Sequence, residues 1–414
     1  METFPYSHAS TRQILALGAE SSGNFSFFAH GKIYFSADFG DLQEAANFKV
    51  FQKAVLAFLK KEALRPHIII TDLHPNMHTT LWGQKLCKKF QAEHIQVQHH
   101  LAHIFSQLGE NMEISKQIKN SKLKIKNSFY GIAMDGTGFG LDEKIWGGEI
   151  FKITNLKFKI SNERIGHLEN QILLGGELAI QEPARMLIAI LDKISNAKFQ
   201  MPNKSQNLKN QKDFIFSFVK KYYAAQEFEV LYNQLQQNFN CLETSSTGRI
   251  LDAVSFLLGF CENKRVYKHQ PIDLLEKNST TPYADLKPIL TECILENSKL
   301  KIDSKFKIQN SKFILQTTPL FEYLIKNINK DKKRLAATAQ LYIAEGLANI
   351  IKTRDTKYNI RNAILSGGIA NNKIISEYFE NKKTDTSSRM PVVQVPRGDA
   401  GLSLGQIIYF LFNH

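Results

Sequence analysis

ILALGAESSGNFSFFAHGKIYFS, residues 14–36, is the stretch that decides the fold. Its apolar runs predict three short strands, and the turns between them lie at 22–24 and at His30-Gly31. The second half of the chain begins in the same way. The predicted strands of the two halves span residues 14–19, 25–29, 32–36, 129–134 and about 145–151. Because each set is followed by strand–helix units, the sequence predicts two related α/β lobes that face each other across a cleft.

Hydrophobic periodicity predicts the remaining elements. An amphipathic helix is expected over 42–61, with Ala46, Val50, Ala54 and Phe58 on one face. Further strands are expected at 67–71, 95–98, 362–365 and 392–395, and further helices from 99 and at about 180–194, 246–260, 372–379 and 402–411. We divide the chain into a first lobe, a second lobe and a closing strand and helix, at 1–127, 128–389 and 390–414.

Composition limits the class of protein. The chain has 414 residues, 43% of them hydrophobic, and neither an apolar run of membrane-spanning length nor an N-terminal signal pattern. We therefore expect a cytosolic protein without a membrane partner. The four cysteines, Cys87, Cys241, Cys261 and Cys293, lack CxxC spacing and are expected to be reduced thiols.

The net charge of +14 lies largely in two lysine-rich tracts, 115–126 and 298–312, which share the word NSKLKI. Arginine is not clustered in them and aromatic side chains for base stacking are nearly absent, so nucleic acid is not the expected partner. We interpret them as solvated inserts within 110–127 and about 297–313. A third polar insert is expected at about 195–213.

The word HHLAH places two histidines on one helical face. His99 and His103 are at positions i and i+4, where two imidazoles can bind one divalent ion. The alternative is a pair of histidines hydrogen-bonded at a polar helix end. His100 lies off this stripe and is interpreted as an orienting or substrate-facing group.

Glycine-rich turns provide candidate nucleotide contacts. Asp135 follows a strand and precedes Gly136, Thr137 and Gly138, which permit close approach of phosphate oxygens; a β-hairpin turn is the alternative. Two further glycine turns are candidates for the same role, and they comprise Gly175, Gly176, Glu177, Gly367 and Gly368. Asp399 precedes the last helix, where it either caps that helix or binds a metal.

Nine short sequence motifs, in this order along the chain, resemble the C-terminal carbamoyltransferase domain of the HypF family, which acts in [NiFe]-hydrogenase maturation. They are GAE (18–20), GDL (40–42), DLHP (72–75), HHLAH (99–103), DGTGFGLDEKIWGGE (135–149), GGELAIQEPAR (175–185), SSTGRILDAV (245–254), LSGGIANN (365–372) and GDAGLSLGQ (398–406). The resemblance implies a two-lobed actin/sugar-kinase/heat-shock (ribonuclease-H-like) fold. It also implies that His99, His103, Asp135 and Asp399 are metal ligands, for which zinc and ferrous iron are both reasonable.

The family reaction implies both substrates and partners. Carbamoyl phosphate and ATP yield carbamoyl adenylate, from which the carbamoyl group passes to a cysteine of a HypE-like acceptor protein. No upstream domain is evident before Gln13, so we expect carbamoyl adenylate to come from a separate YrdC-like protein. A second departure is Lys268, in Tyr267-Lys268-His269-Gln270, where the family usually has Tyr-Glu-Gly-Gln.

Three alternative functions stay open from the sequence. They are a small-molecule O-carbamoyltransferase, an inactive nucleotide-binding scaffold, and an RNA-associated protein. Retention of the four candidate ligands favours an enzyme over a scaffold.

Overall fold

The structure, a computed structural model, describes residues 1–6, 10–117, 128–156, 159–198, 204–294, 311–380 and 395–413. Most of both lysine-rich inserts, and the predicted strand 392–395 except Val395, lie outside the described residues. The expectations for these segments and the predicted domain boundaries stay predictions.

The first half forms a mixed sheet with the strand order β1-β4-β3-β2-β5-β6. Its elements are β1 (Glu2–Pro5), β2 (Ile14–Ala16), β3 (Ser26–Ala29), β4 (Lys32–Phe35), α1 (Ala45–Lys61), β5 (Ile68–Asp72), α2 (His78–Phe90), β6 (Glu93–Val97) and α3 (His99–Gln117). The pairs β2–β5 and β5–β6 are parallel. The predicted turn at His30-Gly31 is confirmed: both residues have positive φ, as a two-residue hairpin requires.

Helix α1 forms where the periodicity predicted it, but its buried face was predicted wrongly. The buried side chains are Phe51, Val55, Phe58 and Leu59, whereas Val50 is 56% exposed. The three large residues Phe51, Val55 and Leu59 define a stripe beside Phe58, and that stripe packs against the first sheet. The smaller Ala46 and Ala54 offered too little apolar area to fix the face.

The second half forms another mixed sheet with the path β10-β11-β8-β9-β13-β12, to which β7 and β14 add beside β8. Its strands are β7 (Ser128–Phe139), β8 (Ile145–Leu156), β9 (Lys159–Leu168), β10 (Gln171–Leu174), β11 (Cys241–Thr244), β12 (Leu290–Ile294), β13 (Ser311–Leu315) and β14 (Ile364–Ser366). Strand β14 pairs in parallel with β7.

The glycine run after Asp135 does not form the predicted turn. Strand β7 continues through Phe139, and its register with β8 shifts between Met134 and Gly138. The hairpin reverses later, where the amide of Gly140 donates to the carbonyl of Lys144. The glycines therefore lie in an irregular part of the strand, which is a common use of glycine inside a sheet.

The second half also contains the remaining described helices. They are α4 (Leu178–Gln181), α5 (Pro183–Lys198), α6 (Lys204–Val219), α7 (Ala225–Gln236), α8 (Thr247–Leu258), α9 (Gln270–Lys277), α10 (Thr318–Lys326), α11 (Lys332–Arg354), α12 (Lys373–Glu380) and α13 (Leu402–Asn413). The single helix predicted at 180–194 is two helices, because Pro183 starts a new one. Part of the polar stretch 195–213 is helical in α5 and α6.

Helices α3 and α13 pack against each other between the two halves. Their apolar side chains share one core with residues of both sheets, including Ile14 and Phe28 of the first and Ala133 and Phe151 of the second. This packing brings the start of α3 next to β7 and the loop before α13. Among the described helices, none combines the length and apolarity needed to cross a bilayer.

Candidate metal centre

Four side chains from distant parts of the chain meet where α3, β7 and the loop before α13 come together. His99, His103, Asp135 and Asp399 each offer one ligand atom, and these atoms all lie within 4.8 Å of one another. The two histidines and Asp135 are buried. The structure thus brings together the four residues that the sequence named as candidate ligands.

The start of α3 sets the geometry of the histidines. Strand β6 ends at Val97, and the side-chain oxygen of Gln98 accepts a hydrogen bond from the amide of Leu101, which caps the helix. The helix therefore begins at His99, and His103 lies one turn later on the same face. Their Nε2 atoms are 3.1 Å apart.

Asp72 orients His99 from behind. The Oδ2 atom of Asp72 lies 2.7 Å from Nδ1 of His99, and Asp72 is fully buried. A carboxylate on Nδ1 leaves Nε2 facing the other three ligand atoms, which is the usual arrangement of a metal-binding histidine. Asp72 is not among the predicted site residues, although it ends a buried strand in the motif DLHP.

The two carboxylates are held by local contacts. Oδ1 of Asp135 lies 3.4 Å from the amide of Gly368, and its Oδ2 lies 3.1 Å from Nε2 of His99. Oδ2 of Asp399 accepts a hydrogen bond from the hydroxyl of Ser21. Its Oδ1 faces the histidines, 3.3 Å from Nε2 of His103, and makes no hydrogen bond to a described residue.

Electrostatics couples the protonation of the four groups. Burial lowers the pKa of His99, but Asp72, Asp135 and Asp399 outweigh it and hold the pKa well above its usual value. Burial also lowers the pKa of His103, but Asp135 and Asp399 raise it more, so its pKa lies above its usual value. The pKa values of both aspartates are lowered by the histidines despite burial. Without an ion, this cluster therefore favours protonated imidazoles between carboxylates.

The spacing of the four groups suits a divalent ion. Donor atoms about 2.0–2.2 Å from a tetrahedral ion lie roughly 3.3–3.6 Å from each other. The cross-distances between imidazole Nε2 and carboxylate oxygen here are 3.1, 3.5, 3.5 and 3.3 Å. Two imidazoles and two carboxylates are ligands that both zinc and ferrous iron accept. The residues present therefore fit such an ion.

His100 is a buried neighbour of the cluster. Its Nδ1 lies 2.9 Å from the side-chain nitrogen of Gln98, and its ring packs on the backbone of Gly138. Burial, together with His99, lowers its pKa to about 3. It is therefore a neutral imidazole at physiological pH, and its predicted orienting or substrate-facing role stays a prediction.

The predicted nucleotide turns lie at different places. Gly367, with φ +91°, and Gly368 adjoin the cluster through the contact of the Gly368 amide with Asp135. Gly136 and Gly138 lie in β7 and allow close packing: an added Cβ would lie 3.4 Å from Arg249 Nη2 at Gly136 and 2.4 Å from His100 at Gly138. Thr137 between them is exposed. The nucleotide contacts of these residues stay a prediction.

The turn at Gly175, Gly176 and Glu177 stands apart. It follows Leu174, the last residue of β10, which pairs with Cys241 at the start of β11. The opposite end of β11, at Thr244, leads through Ser245 toward the cluster. The amide of Gly175 donates to the carbonyl of Asn240. Among the described contacts, none joins this turn to the four ligand groups.

Glu149 and Ser246 connect β8 and β7 to the start of α8. Glu149 is fully buried and accepts hydrogen bonds from Nε of Arg164, at 2.5 Å, and from the hydroxyl of Ser245. Ser246 caps α8, where its hydroxyl accepts from the amide of Arg249 and donates to the carbonyl of Gly136. Ser246 therefore ties the start of α8 to β7 next to Asp135.

Two protein-family models match most of the chain. The family model described as "HypF Kae1-like domain" matches residues 9–110, and the one described as "Carbamoyltransferase, Kae1-like Domain, second subdomain" matches residues 131–406. The chain is 34% identical to the probable carbamoyltransferase HypF of Methanocaldococcus jannaschii over 97% of this chain and 47% of that protein. It is 25% identical to a carbamoyltransferase HypF homolog of Cupriavidus necator over 95% of this chain and 90% of that one.

A solved structure confirms the fold. The crystal structure of T. kodakarensis HypF superposes with a TM-score of 0.75 at 28% identity, covering 99% of this chain and 48% of that chain. The chain thus spans about half the length of the Methanocaldococcus and T. kodakarensis proteins. The two-lobed α/β fold of the actin and ribonuclease-H type expected from the sequence is confirmed by this similarity.

Proposed function

The chain belongs to the HypF carbamoyltransferase family, and from this premise we propose that it transfers a carbamoyl group from carbamoyl adenylate to a protein cysteine, with a metal ion held by His99, His103, Asp135 and Asp399. The observation that supports the proposal best is the spacing of these four side chains, which come from three separate elements and fit one divalent ion. Zinc and ferrous iron are the proposed ions.

The bound ion would act as a Lewis acid that stabilises negative charge on the oxygens of the donor. The residues of the chain have the remaining roles. Asp72 fixes the ring of His99, and Ser21 holds the carboxylate of Asp399. The Gly367-Gly368 turn beside Asp135 offers backbone amides at the place where we propose that the phosphate of the adenylate lies.

The attacking sulfur belongs to the acceptor in this proposal. The acceptor thiolate forms the bond to the carbamoyl carbon, the bond from that carbon to the phosphate oxygen breaks, and AMP leaves with the electron pair. Burial raises the pKa of Cys87 to about 11 and that of Cys261 to about 12, so neither is a thiolate at neutral pH. The four groups of the cluster are imidazoles and carboxylates, so we propose that another protein supplies the thiol nucleophile.

The proposed partners are a HypE-like acceptor and a separate YrdC-like protein that makes carbamoyl adenylate from carbamoyl phosphate and ATP. A free acceptor thiol requires a reducing compartment, so we place the reaction in the cytoplasm.

Mass spectrometry of the acceptor tests the proposal. The metal-loaded chain, the YrdC-like protein, carbamoyl phosphate, ATP and a HypE-like acceptor are incubated together, and carbamoylation of the acceptor cysteine is expected. Omitting the YrdC-like protein is expected to abolish the product. Product without that protein contradicts supply from a separate partner, and no product from the complete mixture contradicts the proposed transfer.

A further inference from the structure

Lys268 places a cation beside one of the candidate metal ligands. It lies in the loop between α8 and α9, and its Nζ is 3.8 Å from Oδ2 of Asp399. Its side chain is 48% exposed, so the ammonium approaches the carboxylate from the solvent side. Oδ1 of the same carboxylate faces the histidines.

The contact is too weak to explain Lys268 as a support for Asp399. A distance of 3.8 Å exceeds that of a hydrogen bond, and ion pairs of half-exposed lysines contribute little to stability. The hydroxyl of Ser21 already hydrogen-bonds Oδ2 of Asp399. The ammonium is therefore free to contact another anion without loss of the carboxylate's position.

Arg249 provides a second cation, beside the other carboxylate ligand. It is 5% exposed, and its Nη1 lies 2.9 Å from Oδ2 of Asp252. Its Nη2 lies 3.4 Å from the position that a Cβ of Gly136 would take, next to Asp135. Buried Nε and Nη1 make no hydrogen bond of good geometry to a described residue, and Asp252 is the carboxylate that pairs with the guanidinium.

We propose that Lys268 is a substrate-binding residue that contacts a phosphate group of the ligand held at the His/Asp cluster, near the buried guanidinium of Arg249. The inference rests on the proposed function, because it requires a ligand at the metal-loaded cluster. A phosphate carries up to two negative charges, and a lysine ammonium binds it as a flexible point charge. The exposed Val266 and Tyr267 beside Lys268 offer apolar surface to a group esterified to that phosphate.

The departure from the family pattern makes this residue informative. A glutamate at this position would place a negative charge beside Asp399 instead of a positive one. The variant Lys268→Glu therefore restores the usual family residue while removing the proposed contact. Lys264, exposed in the same loop, provides a matched control for the same change of charge.

Binding of inorganic phosphate and of AMP to the zinc-loaded chain tests the inference by calorimetry, with adenosine and acetate as probes that lack phosphate. Loss of one charge-assisted contact is expected to weaken phosphate and AMP binding about tenfold in Lys268→Gln and further in Lys268→Glu. Lys264→Glu is expected to bind both like the unmodified chain, and binding of adenosine is expected to be the same in all variants.

Three results would overturn the inference: phosphate and AMP bound equally well by Lys268→Glu, acetate binding that depends on Lys268 as strongly as phosphate binding does, or loss of zinc from Lys268→Gln. The last result would make Lys268 a support of Asp399. Because neither carbamoyl donor nor acceptor is present, the assay is independent of transfer. If phosphate binding depends on Lys268 but no transfer occurs, only the proposed function is contradicted. If transfer occurs but phosphate binding does not depend on Lys268, only this inference is contradicted.

Discussion

Asp72 and His99 form a buried carboxylate–imidazole pair, with Oδ2 of the aspartate 2.7 Å from Nδ1 of the histidine. The pair joins the end of β5 to the start of α3. Because it fixes both the ring orientation and the nitrogen that faces the other ligands, it determines how well the candidate metal centre is organised before an ion binds.

Asp72→Asn is expected to weaken zinc affinity by about 10–100-fold, because the amide no longer favours a deprotonated Nε2 on His99. Competition with a chromophoric chelator measures the affinity. Asp285→Asn serves as control, since Asp285 accepts a hydrogen bond from Tyr323 at the surface. Equal zinc affinity in Asp72→Asn and the control would show that the pair does not tune the centre.

The sequence, together with the family resemblance, could name the four candidate ligands but not this pair. The i, i+4 spacing indicated His99 and His103, and the end of a strand indicated Asp135. The pairing of Asp72 with His99 depends on β5 and β6 being parallel neighbours, in a register that sets Asp72 opposite Val97. Strand neighbours and register are long-range properties, which local periodicity does not contain.

Gly367→Ala is expected to destabilise the chain and weaken zinc binding. An added Cβ would lie 2.2 Å from the carbonyl oxygen of Met134, so the backbone next to Asp135 must move. Gly31→Ala is the matched control: its φ is also positive, but the nearest atom, the carbonyl oxygen of Tyr6, is 3.8 Å away. Both variants bear backbone strain, about 1–2 kcal/mol at Gly31 and about 1–3 kcal/mol at Gly367, whose φ of 91° and ψ of 162° are readily adopted only by glycine.

Denaturant unfolding and the chelator assay together measure the two effects. The larger loss of unfolding free energy is expected in Gly367→Ala, and the loss of zinc affinity only there. Similar behaviour of the two variants would show that the contact with Met134 does not matter.

Glu149 is expected to make folding stability depend on acid pH. Burial alone would raise its pKa, but Arg164 and neighbouring histidines lower it to about 2 from the ordinary 4.5. A lowered folded-state pKa adds stability above the unfolded-state value, and this stability is lost as the pH falls from about 4.5 toward 2. The difference corresponds to about 3 kcal/mol.

Unfolding free energies measured between pH 5 and pH 2 test this expectation. Glu149→Gln is expected to be less stable at neutral pH, because Arg164 loses its buried partner, and to show a shallower pH dependence. Glu163→Gln, which removes a partner of Arg354 at a half-exposed site, is expected to retain the original slope. An unchanged slope in Glu149→Gln would remove Glu149 as the cause.

The glycine run after Asp135 shows a second limit of the sequence. Local propensity favoured a turn at Asp135-Gly136, but Asp135 lies in a continuing strand, where its carboxylate is beside the two histidines. The strand continues because β8 pairs with it beyond the irregular register and because α8 packs on Gly136. Tertiary packing therefore overrides the turn propensity.

Asp399→Ala is expected to abolish carbamoyl transfer while the chain stays folded. Asp399 is the candidate ligand farthest along the sequence. It lies in a short 3-10 turn before α13, and α13 itself packs through apolar side chains such as Leu404 and Ile407. Ser21→Ala is expected to cause a smaller loss, since the carboxylate remains. Transfer rates and far-ultraviolet circular dichroism check both points; normal turnover in Asp399→Ala would remove Asp399 from the site.

The most direct measurement is anomalous diffraction from crystals of the chain grown with zinc, recorded at the zinc absorption edge. We expect one strong peak about 2.0–2.2 Å from Nε2 of His99, Nε2 of His103 and one oxygen each of Asp135 and Asp399, absent from His99→Ala/His103→Ala crystals. A peak elsewhere, or a peak that survives in the double variant, would contradict the proposed metal centre.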